Sequence, residues 1–474
     1  MHHTLKLTSP VIAFTALAAF ACGSDDSSPT TQQMPALPGM NAGGTPGTSN
    51  PPEGQANGPG GTNEGQGPID IAHPTASVED RGEDCQISGM PASAELQNQL
   101  TLPDPFLGLN GQRLTSKSQW RCRREEIRKL GESFIYGSKP SKPESVSGEV
   151  TPTSITVNLQ NQGLSASFTA TITLPPGASG PVPAIIGYGG SSFQQTILDE
   201  GVAFINYSLA SVGDETTKTP SKAGAFYAVN PDREDTGMLV AWAWGVSRMI
   251  DVLESSDSQL INPKAIGVHG CSRSGKGAFI AGAFDERVAL TIPMESGMSG
   301  VPAFRMIVPE GGEVLRNAIE YRPWAGDTYN QFLVLGAPQT DMAALAAQNE
   351  QSGQLQFKLP LDTHEVIGMV APRGLFVMGN PYIVNLAPKA EDITVQAGLQ
   401  IYTALGAAQN LTYVSNIADG THCSFRPEFV APLQQNMRKF LKGDTSAETG
   451  QIDPHVSVAG DLAPSISWDT PTLQ

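Results

Sequence analysis

A strand-like run, Ala265-Ile266-Gly267-Val268-His269, passes straight into Gly270-Cys271-Ser272-Arg273-Ser274-Gly275-Lys276-Gly277-Ala278, and the residues after it read as helix. Glycine and serine at these positions let a helix leave a strand through a turn in which larger side chains would collide. A serine centred in such a turn is raised above the sheet, in the manner of a nucleophile elbow. The feature restricts the chain to α/β architectures, where a strand feeds directly into a helix. The spacing is G-x-S-x-x-G rather than G-x-S-x-G, so a glycine-rich turn that merely starts a helix stays open beside a reactive Ser272.

The rest of the chain agrees with an α/β pattern. Residues 154–157 and 165–173 read as early antiparallel strands; 183–187, 202–207, 265–269, 289–294, 374–378 and 411–414 read as later strands. Residues 237–253 carry Leu239, Trp242, Val246, Ile250 and Leu253 at helical spacing, which predicts a long amphipathic helix. A sheet of this kind places its site at the C-terminal ends of its strands. The loop Tyr188-Gly189-Gly190-Ser191-Ser192 either aims backbone N–H groups at a developing oxyanion or is an ordinary turn.

A serine nucleophile needs a base, a group that orients the base, and oxyanion donors. His2 and His3 fall in the leader, His73 in a polar linker, His455 in the C-terminal tail, and His269 in the strand before the serine. His422, in the loop Ala418-Asp419-Gly420-Thr421-His422 after a late strand, is the expected base, and His364 is read as a structural hydrogen-bonding residue. For the orienting acid, Glu295 stands directly after the strand at 289–294. The more usual position, after 375–378, reads Gly379-Asn380-Pro381-Tyr382 without an acid, and Glu391 and Asp392 come only later. Glu295 is therefore the expected acid; as a merely solvated strand-end residue it would leave the set incomplete.

Composition sets the ends apart. Residues 1–21, with Lys6 and an apolar run at 11–21, suit a secretory signal, and Ala19-Phe20-Ala21-Cys22 is similar to a lipobox, which makes Cys22 a candidate lipidated residue; ordinary secretion is the alternative. Residues 22–76 are rich in Gly, Pro, Asn, Ser and Thr and are expected as a flexible tether. This leaves a domain at 77–443 and an extended tail at 444–474, in which Val456, Val458, Leu462 and Trp468 are able to dock. A net charge of −17 excludes nucleic acid and an anionic membrane surface as partners, and leaves the lipid anchor as the only membrane contact. Besides Cys22 there are Cys85, Cys122, Cys271 and Cys423. In an exported chain an even set predicts disulfides rather than buried thiols. If Ser272 and His422 meet, their neighbours Cys271 and Cys423 meet too, which favours Cys271–Cys423 with Cys85–Cys122.

The segments around Ser272, Pro293-Met294-Glu295-Ser296-Gly297, Leu359-Pro360-Leu361-Asp362-Thr363-His364 and His422-Cys423-Ser424-Phe425, with Trp120-Arg121-Cys122-Arg123-Arg124 and Ala241-Trp242-Ala243-Trp244-Gly245 upstream, resemble glucuronoyl esterases of carbohydrate esterase family 15. The resemblance implies an α/β-hydrolase three-layer sandwich with a mostly parallel central sheet. The implied reaction is hydrolysis of the ester between (4-O-methyl-)glucuronic acid of xylan and lignin alcohols, without metal or organic cofactor; a monomer is expected separately from the resemblance. It further implies Ser272 as nucleophile, His422 as base, Glu295 as acid, Arg273 as oxyanion donor, and Lys276, Glu320 and Trp324 as substrate-binding residues. Two departures bear on the substrate: residues 380–386 lack the tryptophan of the family, and its sugar-binding glutamine has no evident counterpart. Alternative readings are an esterase for other carbohydrate esters and a non-catalytic binding protein on a hydrolase fold.

Overall fold

A computed structural model describes residues 78–338 and 340–474; the leader, Cys22 and the linker through residue 76 lie outside the described residues. One sheet contains β1 (Ser145–Val150), β2 (Ser154–Asn161), β3 (Leu164–Thr173), β4 (Val182–Tyr188), β5 (Ala203–Tyr207), β6 (Ile261–Cys271), β7 (Val288–Met294), β8 (Gly374–Met378), β9 (Leu411–Val414) and β10 (Ile452–Asp453). The spatial order is β1-β2-β3-β5-β4-β6-β7-β8-β9-β10. The pairings β1/β2, β2/β3 and β3/β5 are antiparallel. Those from β5 to β10 are all parallel. Each expected strand is present. β1 carries Ser145, Ser147, Gly148 and Glu149 exposed at the sheet edge and turns only Val146 and Val150, with Gly148 between them, toward the core, too short an apolar pattern for a sequence reading to find it.

Two hydrophobic clusters flank the sheet and make it the middle of three layers. Helices Trp120–Gly131, Met238–Ser255, Arg273–Phe284 and Thr363–Val370 pack together on one face; Gln194–Asp199 and Pro427–Lys442 cover the other. The helix at Met238–Ser255 differs from its expectation, because every residue from Met238 to Leu253 is buried. The strands β1 and β2 and the short helix Ala225–Val229 close over its outer side. The polar groups this encloses are ion-paired: Arg248 reaches Glu79 and also Asp251 at 2.9 Å.

Residues 444–474 contain little regular structure yet belong to the folded unit, which continues to Gln474 past the boundary expected at 443. Val458 and Trp468 are buried and Leu462 is packed at the core edge, whereas Val456 is 86% exposed. Trp468 stacks on His364 with centroids 5.5 Å apart, and its Nε1 donates to Gln400 at 3.0 Å. Of the four apolar residues able to dock, Val458, Leu462 and Trp468 do so, because a few isolated apolar side chains cover a core as well as a periodic run does. Trp468→Ala is expected to lower stability by about 3–5 kcal/mol, the usual cost of emptying a buried tryptophan site. Urea unfolding at neutral pH measures it; a loss under about 1 kcal/mol would show the tail to be dispensable.

Candidate active site

Ser272 follows β6 directly and the helix Arg273–Phe284 starts at the next residue. Its backbone has φ 58° and ψ −129°, a region that residues bearing a side chain seldom occupy. The neighbours enforce that turn. A Cβ on Gly270 would lie 2.3 Å from the Ser274 carbonyl oxygen, and one on Gly275 would lie 2.6 Å from that of Met294. Ser272 N donates to Met294 O at 2.9 Å, tying the turn to the end of β7. The sheet order reverses at β4, which has β5 on one side and β6 on the other, so the serine emerges at the topological switch point.

Glu295 leaves β7 in the same direction, with φ 47° and its N–H donated to Met378 O at 2.8 Å. Its fully buried carboxylate accepts from His422 Nδ1 at 2.6 Å, Cys423 N at 3.0 Å and Arg426 Nη1 at 3.1 Å. A carboxylate acceptor fixes the proton on Nδ1 and leaves Nε2 as the basic nitrogen. Arg426 also donates to the carbonyls of Ser424, at 3.0 Å, Asp419, at 3.2 Å, and Thr421, which holds the loop on both sides of His422. The disulfides pair Cys271 with Cys423 and Cys85 with Cys122. With Cα atoms 5.7 Å apart, the first brings Ser272 and His422 together, since each adjoins one half-cystine. It spans 152 residues, worth about 4–5 kcal/mol in the chain-entropy account. Ser272 Oγ makes no hydrogen bond among the described residues; serine–histidine contacts of unliganded hydrolases commonly close only around substrate.

The cations after the serine are each held by a carboxylate that the sequence did not single out. Arg273, 47% exposed, donates to Glu215 Oε1 at 2.9 Å, and Trp324 Nε1 donates to Glu215 Oε2 at 2.7 Å. The buried Lys276 donates to Ser296 O and Glu313 Oε2, both at 2.7 Å, and lies over the Trp324 ring at 4.8 Å. Burial pushes the Lys276 ammonium below the ordinary lysine range, with Glu313 opposing the shift. Glu320 stands elsewhere: its carboxylate pairs with Arg316 at 3.0 Å, beside a cavity of about 530 Å³ lined also by Lys218, Pro323 and Asp327. Glu215, Glu313 and Arg426 lie in loops without periodicity, where sequence gives no contact partner. Arg426, four residues after His422, had the one readable signal, a cation close to the histidine motif.

The remaining candidates occupy structural positions. His269 is buried with Nδ1 on Ile292 O at 3.1 Å, and burial pushes it down to about 4. His364 is buried with Nε2 on Pro103 O at 2.9 Å, and burial likewise pushes it down to about 4. Gly189 N donates to Gly187 O and Tyr207 O, both at 3.1 Å, so this amide of the glycine-rich loop is already committed. Cys271, Glu295, His422 and Cys423 present ligand-type atoms within 4.8 Å of one another, but the two sulfurs are bonded to each other and the imidazole to the carboxylate, which leaves no thiolate for a metal.

A serine on a strained strand-to-helix turn, facing a histidine loop across a mostly parallel sheet sandwiched by helices, defines an α/β-hydrolase. Residues 157–406 match the family described as fungal glucuronyl esterase. The chain is 34% identical over 392 residues to the 4-O-methyl-glucuronoyl methylesterase of Hypocrea jecorina, covering 81% of this chain and 79% of that protein. The glucuronoyl esterase catalytic domain of that organism superposes with a TM-score of 0.71 at 33% identity, over 81% of this chain and all (100%) of that one. A serine-to-alanine mutant of the Sporotrichum thermophile glucuronoyl esterase, in complex with methyl 4-O-methyl-β-D-glucopyranuronate, superposes with a TM-score of 0.69 at 32% identity, over 83% of this chain and 100% of that one. The chain belongs to the glucuronoyl esterase family.

Behind Glu295 lies a second buried carboxyl group, Glu391, whose Oε1 has no hydrogen-bond partner. Burial, and then the charges of Glu295 and Asp392, push it up to about 8. The folded protein therefore binds a proton that the unfolded chain has lost above its ordinary glutamate pKa, and stability falls as pH rises from that value to about 8. Glu391→Gln, neutral at every pH, is expected to melt progressively higher than the parent between pH 5 and pH 8. Thermal melts across that window check it; parallel melting curves at every pH would refute it.

Proposed function

We propose that the protein is a carboxylic ester hydrolase that cleaves the bond between (4-O-methyl-)glucuronic acid of glucuronoxylan and a lignin alcohol, through an acyl-enzyme on Ser272. The observation that carries the reading is the 2.6 Å contact of His422 Nδ1 with the buried Glu295, on a loop clamped by a disulfide to the residue before Ser272. His422 Nε2 takes the proton of Ser272 as Oγ attacks the acyl carbon, and then delivers it to the departing alcohol oxygen. Water repeats the sequence on the acyl-enzyme and releases the uronic acid. Glu295 holds the ring and stabilises the imidazolium. The open first turn of the helix Arg273–Phe284 and the Arg273 guanidinium are suited to receive the oxyanion.

The sugar is assigned to the wall of Lys276, Glu313 and Trp324. Names and ligand of the relatives support a glucuronate. The paired charges of Lys276 and Glu313 fit a substrate that is a neutral ester with several hydroxyl groups. Two disulfides support an exported enzyme, with Cys22 as its candidate lipid anchor. Assays of purified protein on benzyl glucuronate, benzyl galacturonate and acetylated xylan test the reading; acetylated xylan as the faster substrate would replace it by a general carbohydrate esterase.

Ser272→Ala and His422→Ala are each expected to remove nearly all turnover, without adding when combined. Glu295→Gln is expected to lose about 10²–10⁴-fold in kcat and, because Arg426 then remains buried without its carboxylate, on the order of 1–3 kcal/mol of stability. Near-parental rates in any of the three would overturn the assignment.

Glu313 adds a consequence for the product. The ester is neutral and the released uronate is an anion, so a fixed negative charge beside Lys276 disfavours product more than substrate. Glu313→Gln is expected to tighten inhibition by free glucuronate roughly 3–10-fold. An unchanged inhibition constant would place Glu313 outside the sugar site.

A further inference from the structure

The surroundings of Ser272 differ in character on their two sides. Toward the helix Arg273–Phe284 the groups are charged: Arg273 with Glu215, and Lys276 with Glu313. On the histidine side they are aromatic. Phe425 follows His422 by three residues, is 50% exposed, and lies 5.1 Å from the ring of Phe193 at an interplanar angle of 36°. Phe193 comes from the loop after β4 and is fully buried, packed against His269 at 6.4 Å and Phe429 at 6.1 Å. One face of Phe425 thus completes an aromatic cluster bridging two loops at the strand ends, while half of its surface is left to solvent. Tyr382, 47% exposed on the loop after β8, packs on the same histidine loop from another direction, its ring 5.4 Å from that of His455. Its hydroxyl donates to Ile417 O at 3.0 Å, and a Cβ on Gly420, two residues before His422, would lie 2.6 Å from its own Cβ. Both rings are therefore held by the loop that carries the histidine.

A single exposed apolar side chain is ordinary on a protein surface. The location of Phe425, three residues after His422 and against Phe193, gives it a role. The histidine that receives the serine's proton must reach the oxygen that leaves, so the alcohol portion of an ester departs along the His422 side of the cleft. We propose that Phe425, backed by Phe193, is the subsite for the aromatic ring of an arylalkyl alcohol in ester linkage; the inference rests on the esterase reading above. As the serine Oγ bonds to the acyl carbon and the bond from that carbon to the alcohol oxygen breaks, the proton passes through His422 Nε2 to that oxygen, and a neutral alcohol leaves with its ring against Phe425. Contact between two rings favours an aromatic alcohol over a small aliphatic one without altering the acyl chemistry.

The test crosses two acids with two alcohols: methyl and benzyl glucuronate, and methyl and benzyl acetate. For each acid, Phe425→Ala is expected to lower the benzyl-to-methyl ratio of kcat/KM about 3–10-fold, through KM, while Phe425→Trp retains the parental ratio. Phe425→Leu, which keeps apolar volume and protects folding, is expected to fall between them. Benzyl alcohol used as an inhibitor of methyl ester hydrolysis should bind more weakly to Phe425→Ala by a similar factor. A folded Phe425→Ala variant with the parental ratio, or one in which both esters of an acid fall in parallel, would overturn the subsite. Turnover of the acetates without the glucuronates would overturn the glucuronoyl reading alone, since the acetate pair still reports on Phe425.

Discussion

One buried carboxylate, Glu295, holds the working end of this fold together. It stands where β7 ends and accepts from the histidine ring, from the backbone of the half-cystine after it, and from a buried arginine. An isolated carboxylate at this depth would be strongly disfavoured. Three donors, one of them cationic, compensate it, and each lies on the loop between β9 and the helix Pro427–Lys442. The interaction is local in space and remote in sequence, 127 residues separating Glu295 from His422. The Cys271–Cys423 bond runs beside it and removes the freedom of that loop to drift from β6. Position of the histidine therefore depends on two independent attachments, one electrostatic and one covalent.

Rigid attachment has a counterpart in the backbone of the serine. The unfavourable φ and ψ of Ser272 persist because Gly270 and Gly275 allow Ser274 and Met294 to approach where any Cβ would be struck. Charge in the cleft is likewise neutralised pair by pair. Arg273 and Lys276 each answer to a carboxylate, and Trp324 joins the pairs by donating to Glu215 and lying under Lys276. A site built this way recognises dipoles and hydroxyl groups rather than net charge, which accords with an esterase for a neutral sugar ester in a chain of charge −17.

Most of the architecture was legible because the features that code for it are local. The apolar runs of β4 to β9 are bounded by turn residues, and the elbow is a contiguous word of strand, serine and helix. The family motifs are local in the same sense, and they single out Ser272, Glu295 and His422 as candidates without reference to the rest of the chain. The failures share a different origin. β1 is an edge strand whose apolar face is only Val146 and Val150; the helix Met238–Ser255 has charges and hydroxyls that look solvent-facing until Glu79 and the first strands cover them. The family resemblance implies Glu320 as a substrate-binding residue, yet it is Glu313 that reaches Lys276, because the loops between β7 and β8 fold back by paths that no periodicity encodes.

The sequence by itself determined the alternation of strand and helix, the strained turn at Ser272, the class of reaction that turn serves, and the partnership of four cysteines once serine and histidine are required to meet. The alternation and the turn follow from residues that are neighbours in the chain, where steric and capping rules act without reference to the rest of the molecule; the reaction class and the cysteine pairing rest on histidine and cysteine positions taken across the chain. Tertiary structure alone decided which carboxylates pair with Arg273 and Lys276, that Arg426 supports Glu295, that Phe425 lies on Phe193, and that Trp468 closes the core over His364. Those contacts join segments tens to hundreds of residues apart through loops of irregular path, and their strength depends on burial, a property that a residue acquires only when the whole chain has folded around it.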